Sequence, residues 1–198
     1  MKTQHSTLAG LALGLVLLAG CSAEAATPIP AQPAASQAAA PSSAATAPAA
    51  ANPTVGVAPA AAAMVCSDEA KDSVTKILGL AASPATTPSW DGTTYSCSYK
   101  LADGPFTMSV KVATGDAAAT AAAKTLAGSL NAAPIKGLSN LGLPGYQSAD
   151  GSVVFAKDNM TLHVDATTMT PTVGKNKVSR ADFAYQMATT ILACWSEH

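Results

Sequence analysis

The feature that most restricts the fold of this chain is a stretch of alanine and proline over residues 22–63. Of its 42 residues, 20 are Ala, 7 are Pro, and only Glu24 carries a charge. Proline at this density interrupts any helix that alanine alone would favour, and almost no large apolar side chain is present to form a core. We therefore predict that residues 21–63 form a disordered tether with polyproline-II character, and that residues 64–198 form the folded domain.

Residues 1–20 have the organisation of a bacterial lipoprotein signal peptide. Lys2 provides the positive charge, and an uncharged run of eleven residues extends from Leu8 to Leu18. A helix of that length measures about 16 Å, which is too short for the ~30 Å hydrocarbon core of a bilayer. The run is therefore expected to be the hydrophobic region of a signal that is removed.

The hydrophobic run ends in Leu18-Ala19-Gly20-Cys21, which matches a lipobox. The small residues Ala19 and Gly20 fit the cleft of a peptidase, and the Cys21 thiol is the acceptor for diacylglycerol. We predict cleavage between Gly20 and Cys21 and acylation of Cys21, which would hold the mature protein in membrane lipid at the extracytoplasmic face of the bacterial cell membrane. The alternative is an ordinary secretory signal that contains a cysteine by chance.

Residues 64–198 have the length of one domain. They carry 10 Lys and Arg and 11 Asp and Glu, which are scattered along the chain. Because nucleic-acid binding needs a basic patch or stripe, nucleic acid is not expected as a partner. Histidines are too few for a histidine-rich metal site, so we predict no metal and no cofactor. Calcium binding by Asp and Glu stays open as an alternative, although no calcium-loop spacing is present.

Apolar periodicity in this region predicts three helices and two β-hairpins. The helices are expected at 68–78, at 116–130 and from Ser179 onward. The hairpins pair 93–101 with 106–113 and 152–157 with 160–166, while 79–92 and 131–150 are expected to be loops. The order α-ββ-α-ββ-α predicts an α+β fold, in which three helices pack on an antiparallel sheet. The expected inner face of the second helix consists of Ala118, Ala121, Ala122, Leu126 and Leu130.

Together these features resemble the small cell-envelope lipoproteins of high-GC Gram-positive, actinobacterial type. The resemblance is carried by the lipobox, the tether, a cysteine that opens the first helix, and a C-terminal amphipathic helix. It is also carried by the strand Cys97-Ser98-Tyr99 and by a loop with Gly137, Leu138, Gly142 and Tyr146. The resemblance covers most of residues 64–198. It implies a compact α/β sandwich of the PsbP/Mog1 type in the cell envelope, and no particular chemistry.

The predicted domain contains three cysteines, Cys66, Cys97 and Cys194. Export would allow disulfides to form, and the resemblance favours a bridge between Cys66 and Cys97. Three interpretations of Cys194 stay open: a buried thiol, a disulfide with Cys66 or Cys97 instead, and a reactive thiol. A reactive thiol needs a nearby base, for which His163 is the internal candidate.

Candidate catalytic groups are few. His163 and Asp165 lie two residues apart on one strand face, which suits a general base and its orienting carboxylate. No nucleophile motif accompanies them, so a solvent-facing histidine is the favoured interpretation, and we predict no catalytic residue and no enzyme activity. Gly137, Gly142 and Gly145 lack the Gly-Lys-Ser/Thr sequence of a phosphate loop and indicate a covering loop.

Trp90 and Tyr146 lie in predicted loops, which carry function more often than strands do. They are candidates for the two sides of a groove for a small apolar or glycan ligand, and capping the core edge is the alternative. The favoured function is a membrane-anchored, non-enzymatic ligand-binding or sensory module of the cell envelope. The alternatives are a structural lipoprotein that contacts an envelope protein, and an enzyme with an unrecognised site.

Overall fold

The computed structural model describes residues 56–136 and 143–196. The predicted signal peptide, the cleavage and acylation site at Gly20 and Cys21, and the loop residues Gly137, Leu138 and Gly142 lie outside these ranges. The helical segments within them are α1 (Ala60–Ala63), a 3-10 turn (Met64–Cys66), α2 (Asp68–Leu78), α3 (Asp116–Ser129) and α4 (Arg180–Ser196).

The strands of the described ranges follow in chain order. They are β1 (Ala85–Trp90), β2 (Thr94–Leu101), β3 (Gly104–Val112), β4 (Ala133–Pro134), β5 (Gly145–Gln147), β6 (Ser152–Lys157), β7 (Met160–Asp165), β8 (Thr172–Val173) and β9 (Val178–Ser179). Both predicted hairpins are present, as β2–β3 and β6–β7, and their central strands β3 and β7 pair with each other.

Seven of these strands form one antiparallel sheet in the order β1-β2-β3-β7-β6-β5-β4, and β8 and β9 form a separate small hairpin. The predicted α+β class with an antiparallel sheet is therefore confirmed. The predicted four strands are too few, because β1, β4 and β5 extend the sheet at its two edges.

One face of the sheet packs against α2 and α4 and forms the main core. Alternate residues of each strand point to this face, so the apolar positions of β2, β3, β6 and β7 meet there. The largest buried side chains include Tyr99, Phe106, Phe155, Phe183 and Leu162. Burial of these large apolar groups is the main source of stability.

The opposite face is covered by α3 over strands β5, β6 and β7. Its buried residues are Ala119, Ala123 and Ala127, whereas Ala118 and Ala121 are exposed. Of the other predicted inner residues, Ala122, Leu126 and Leu130 are partly buried, and the two leucines pack against this cluster. The prediction is therefore wrong for Ala118 and Ala121 and misses the most buried positions. A helix composed mostly of alanine has little apolar asymmetry, so its sequence does not specify which side faces the sheet.

Residues 79–92, which the sequence indicated as a loop, contain strand β1. Pro88 disfavours a β-strand, because proline has no backbone N–H to donate to a neighbouring strand. In the structure β1 is the edge strand and pairs only with β2 within the described sheet, with Pro88 opposite Cys97. An edge strand needs hydrogen bonds on one side alone, so proline is tolerated there.

The ordered domain also begins before residue 64, where the tether was predicted to end. Helix α1 carries the fully buried Ala62, and the following turn carries the fully buried Val65. Trp195 Nε1 donates to the Ala61 carbonyl at 2.9 Å, and Tyr99 Oη donates to the Val65 carbonyl at 2.6 Å. Residues 60–66, called here the entry segment, are thus part of the core.

Cys66 and Cys97 form a disulfide with their Cα atoms 5.3 Å apart. The bridge implied by the resemblance is confirmed, and it joins the end of the entry segment to the middle of β2. The alternative pairings of Cys194 with these residues are excluded by this bridge. Cys194 lies in α4, where it is buried.

Candidate functional site

The sheet face that carries α3 is only partly covered. Helix α3 lies over β5–β7, so the same face of β1, β2 and β3 is open. The Thr161 hydroxyl of β7 donates to the Ala119 carbonyl at 3.0 Å and links the helix to the sheet. The small side chains of Ala119 and Ala123 pack against Val154 and Ala156. A groove forms along the side of α3 that borders the open part of the sheet.

The groove has a volume of about 460 Å³. Its floor is the sheet, with Thr94, Ser109, Lys111, Thr161 and His163. Its wall is one side of α3, with Ala122, Thr125, Leu126 and Ser129. This size falls in the ordinary range for small-molecule sites.

Strand register explains why the floor residues meet. In antiparallel pairs, directly opposite residues point to the same face. Lys111 of β3 stands opposite Thr94 of β2 and Thr161 of β7, and Ser109 stands opposite His163. These two rows place a cation, an imidazole and three hydroxyls side by side.

His163 is held in place by Ser152 of the neighbouring strand β6. Ser152 Oγ and His163 Nε2 are hydrogen-bonded at 2.8 Å. Asp165 lies on the same face of β7, but its carboxylate accepts from the Thr167 amide and hydroxyl at 2.9 and 2.7 Å. His163 is half-buried at the floor of the groove, so its predicted position as an open, solvent-facing hairpin residue is wrong: α3 covers part of that face.

Burial lowers the pKa of His163 below the usual 6.5, and the nearby Asp165 carboxylate partly opposes this effect by favouring the protonated ring. The imidazole is therefore neutral at pH 7. A neutral ring has one donor and one acceptor nitrogen. With Nε2 bonded to Ser152, the other nitrogen, Nδ1, has no protein hydrogen-bond partner in the described part of the chain.

The lowered pKa of His163 predicts a pH-dependent stability. The unfolded chain binds a proton at the ordinary histidine pKa of 6.5, before the folded chain does. Stability contributed by the neutral ring is therefore fully present above pH 6.5 and is lost as the pH falls toward the lowered folded pKa. Urea unfolding between about pH 7.5 and about pH 5 should show this decline in wild type and a flatter profile in His163→Gln.

The carboxylates with lowered pKa values, Asp68 and Asp91, titrate below 3.8 and do not contribute in this window. The difference between the wild-type and His163→Gln profiles therefore isolates the histidine. Parallel profiles for the two proteins would contradict the assignment of this pH dependence to His163.

A serine next to the histidine raises the question of hydrolytic chemistry. Ser152 is completely buried (0 % exposed) and does not belong to the lining of the groove. A nucleophile has to come within about 3–3.5 Å of the substrate atom that it attacks. The Ser152 hydroxyl is enclosed, so in this arrangement it positions the His163 ring and does not meet a molecule in the groove.

The structure does not bring Trp90 and Tyr146 together. Trp90 ends β1 at one edge of the sheet, and Tyr146 lies in β5 near the other edge, with four strands between them. Their cross-strand partners also face opposite ways: Tyr95 is next to the main core, and Val154 lies under α3. The predicted groove between these two aromatic residues is therefore wrong, since both belong to strands and not to neighbouring loops.

Gly145, one of the three loop glycines, has a packing role. A Cβ at this position would lie 2.3 Å from the ring of Phe155, so the absence of a side chain lets β5 approach β6. Gly145 therefore belongs to a strand of the main sheet and not to the covering loop that was predicted for residues 131–150. Residues 56–136 and 143–196 contain no group of three or more His, Cys, Asp or Glu side chains that could hold a metal.

Comparison with known proteins finds no matching family model, curated protein or solved structure. The resemblance to envelope lipoproteins therefore stays a prediction. In the described ranges, no helix has both the length and the apolar character needed to span a bilayer.

Sequence reasoning identified His163 but missed Ser109, Lys111 and Leu126 as its neighbours. The alternation of the first hairpin does place Ser109 and Lys111 on the side away from the core. How much of that sheet face α3 covers could not be predicted, because a helix composed mostly of alanine does not specify how it packs on the sheet.

Proposed function

We propose that this chain is a membrane-anchored lipoprotein of the bacterial cell envelope, and that its domain is a non-enzymatic ligand-binding or sensory module. The groove between α3 and the open sheet face is the proposed binding site. The observation that supports this most strongly is that several polar side chains without hydrogen bonds to described residues lie together in one groove. Anchoring through acylated Cys21 is supported by the lipobox.

Three groove hydroxyls make no hydrogen bond to any described residue: those of Thr94, Ser109 and Thr125. The hydroxyls of Thr161 and Ser129, in contrast, already donate to backbone carbonyls. Pockets that bind small molecules combine an apolar wall with a few polar groups of fixed position. Leu126 supplies the wall and the strand register fixes the polar groups.

An enzyme finds less support in this geometry. The hydroxyl that is hydrogen-bonded to His163, that of Ser152, is enclosed, and the accessible Ser109 hydroxyl forms no hydrogen bond to the ring within the described residues. A purely structural or protein-interaction lipoprotein would be expected to expose a contiguous apolar patch. Among the described large apolar residues, only Val57 is strongly exposed, at 98 %, so the ligand-binding module is the better supported proposal.

The binding proposal predicts that blocking the groove removes a bound molecule. The full chain would be produced in a Gram-positive host, extracted from membranes in mild detergent and analysed by native mass spectrometry. Wild type should carry an adduct that is lost on unfolding, and its denatured mass should correspond to acylated Cys21 without residues 1–20. Ala122→Trp should lose the adduct, because Ala122 lines the groove and an indole would fill much of it.

The matched control is Ala121→Trp, one residue away on the exposed side of α3. This variant should keep the adduct, and circular dichroism should show that both variants are folded. A wild-type protein without any adduct, or an adduct that both variants retain, would count against the groove as a binding site. A denatured mass without acylation would refute the anchor separately.

A further inference from the structure

We infer that the groove selects a small, hydroxyl-bearing organic anion, such as an acidic or phosphorylated sugar. This inference rests on the proposed function and specifies its ligand. It follows from the charges of the groove, from the unused hydrogen-bond donors and from their spacing on the strands.

The groove has an uncompensated positive charge. Among the residues that the structure describes, Lys111 is the only charged one that lines the groove, because His163 is neutral at pH 7 and no Asp or Glu belongs to the lining. Lys111 forms no ion pair with any residue in the described ranges. A carboxylate or phosphate placed beside this ammonium would form a charge-assisted hydrogen bond, which is roughly twice as strong as a neutral one.

The hydroxyls and the histidine suit the rest of such a ligand. Ser109 precedes Lys111 by two residues on the same face of β3, which places their Cα atoms about 6.6 Å apart. That separation is comparable to the width of a sugar ring. An anionic group at Lys111 would bring the ligand's own hydroxyls to the Ser109 hydroxyl and to His163 Nδ1, and the apolar face of the ring would meet Leu126.

Other occupants fit less well. A cationic ligand would be repelled by Lys111, and no lining carboxylate would attract it. A flat apolar ligand would leave the hydroxyls of Thr94, Ser109 and Thr125 without partners, which carries a desolvation cost. A hydroxylated anion can pair with the Lys111 ammonium and also accept hydrogen bonds from these hydroxyls.

Isothermal titration of the full chain tests this inference with three probes: glucuronate, glucose 6-phosphate and glucose. At least one of the two charged sugars should bind about tenfold more tightly than glucose, a difference of about 1.4 kcal/mol. If glucuronate binds more tightly than glucose 6-phosphate, the groove prefers a carboxylate, and the reverse order indicates a preference for a phosphate. Added salt should weaken binding of the charged sugar only.

Lys111→Gln should reduce affinity for the preferred charged probe to about that of glucose, since it keeps much of the side-chain length and removes the charge. Lys100→Gln is the matched control. Lys100 is exposed on the same open face of the sheet and stands opposite Pro105, about 20 Å along β3 from Lys111. This control should bind as wild type does.

Equal affinity for glucose and for both anions would overturn the inference, as would equal losses in Lys111→Gln and Lys100→Gln. Absence of a response to both charged sugars would overturn it as well. These outcomes are distinct from failure of the proposed function. An uncharged adduct that disappears in Ala122→Trp would leave the binding module intact and refute only its preference for an anion.

Discussion

Replacing Phe106 with alanine is expected to lower the free energy of unfolding by about 3–5 kcal/mol. Phe106 is completely buried in β3 and lies between two other aromatic rings. Its ring centroid is 5.3 Å from that of Tyr99 and 4.7 Å from that of Phe183. The substitution therefore removes an aromatic contact between β3 and α4, and it leaves a cavity in the main core.

Urea denaturation followed by circular dichroism would measure the loss. The matched control is Thr107→Ala at the next position of β3, where the side chain points to the opposite, open face. That variant should lose less than about 1 kcal/mol. Similar losses in the two variants would show that the aromatic cluster is not a major source of stability.

Removal of the disulfide by the double substitution Cys66→Ala/Cys97→Ala is expected to cost about 4 kcal/mol. The bridge joins residues separated by 31 positions, and in the chain-entropy model a loop of that length contributes about 3.7 kcal/mol by restricting the unfolded state. The loss is large compared with the ~5–15 kcal/mol stability of a typical domain. Thermal unfolding of the double variant would measure it.

Cys194→Ala is the matched control, because it replaces a buried cysteine by alanine and leaves the bridge intact. Mass spectrometry should find wild type and Cys194→Ala about 2 Da lighter than their fully reduced forms, and the double variant unchanged by reductant. If the double variant unfolds at the same temperature as Cys194→Ala, the bridge is not stabilising.

The elements that the sequence predicted well have local signals. Ser67 caps α2 by accepting a hydrogen bond from the Ala70 amide at 3.2 Å, and Gly79 ends it with a positive φ of 64°. Both features are visible as residue types. Alternating apolar residues also specified the two hairpins, which explains why the predicted bounds of β6 and the start of β7 agree with the structure.

The incorrect predictions concern features that depend on contacts between elements distant in the sequence. Pro88 argues against a strand unless the strand lies at an edge, and the position in the sheet is not encoded locally. Trp90 and Tyr146 lie in segments whose proline and glycine content predicts loops, whereas the structure places them in β1 and β5. The groove depends on how far α3 extends across β7 toward β3, which only the packed structure specifies. His163 was visible as a candidate, but Lys111 became one only through the register of β2, β3 and β7.

The entry segment has a mechanical consequence. A pull on the chain from its N-terminal side loads in turn the hydrogen bond of Gly56 with Trp90, that of Ala61 with Trp195 and that of Val65 with Tyr99. At the end of the entry segment, the force passes through the covalent Cys66–Cys97 bond into β2. Because this bond is covalent, a pull from the N-terminal side is transmitted to the middle of β2 before it reaches α2.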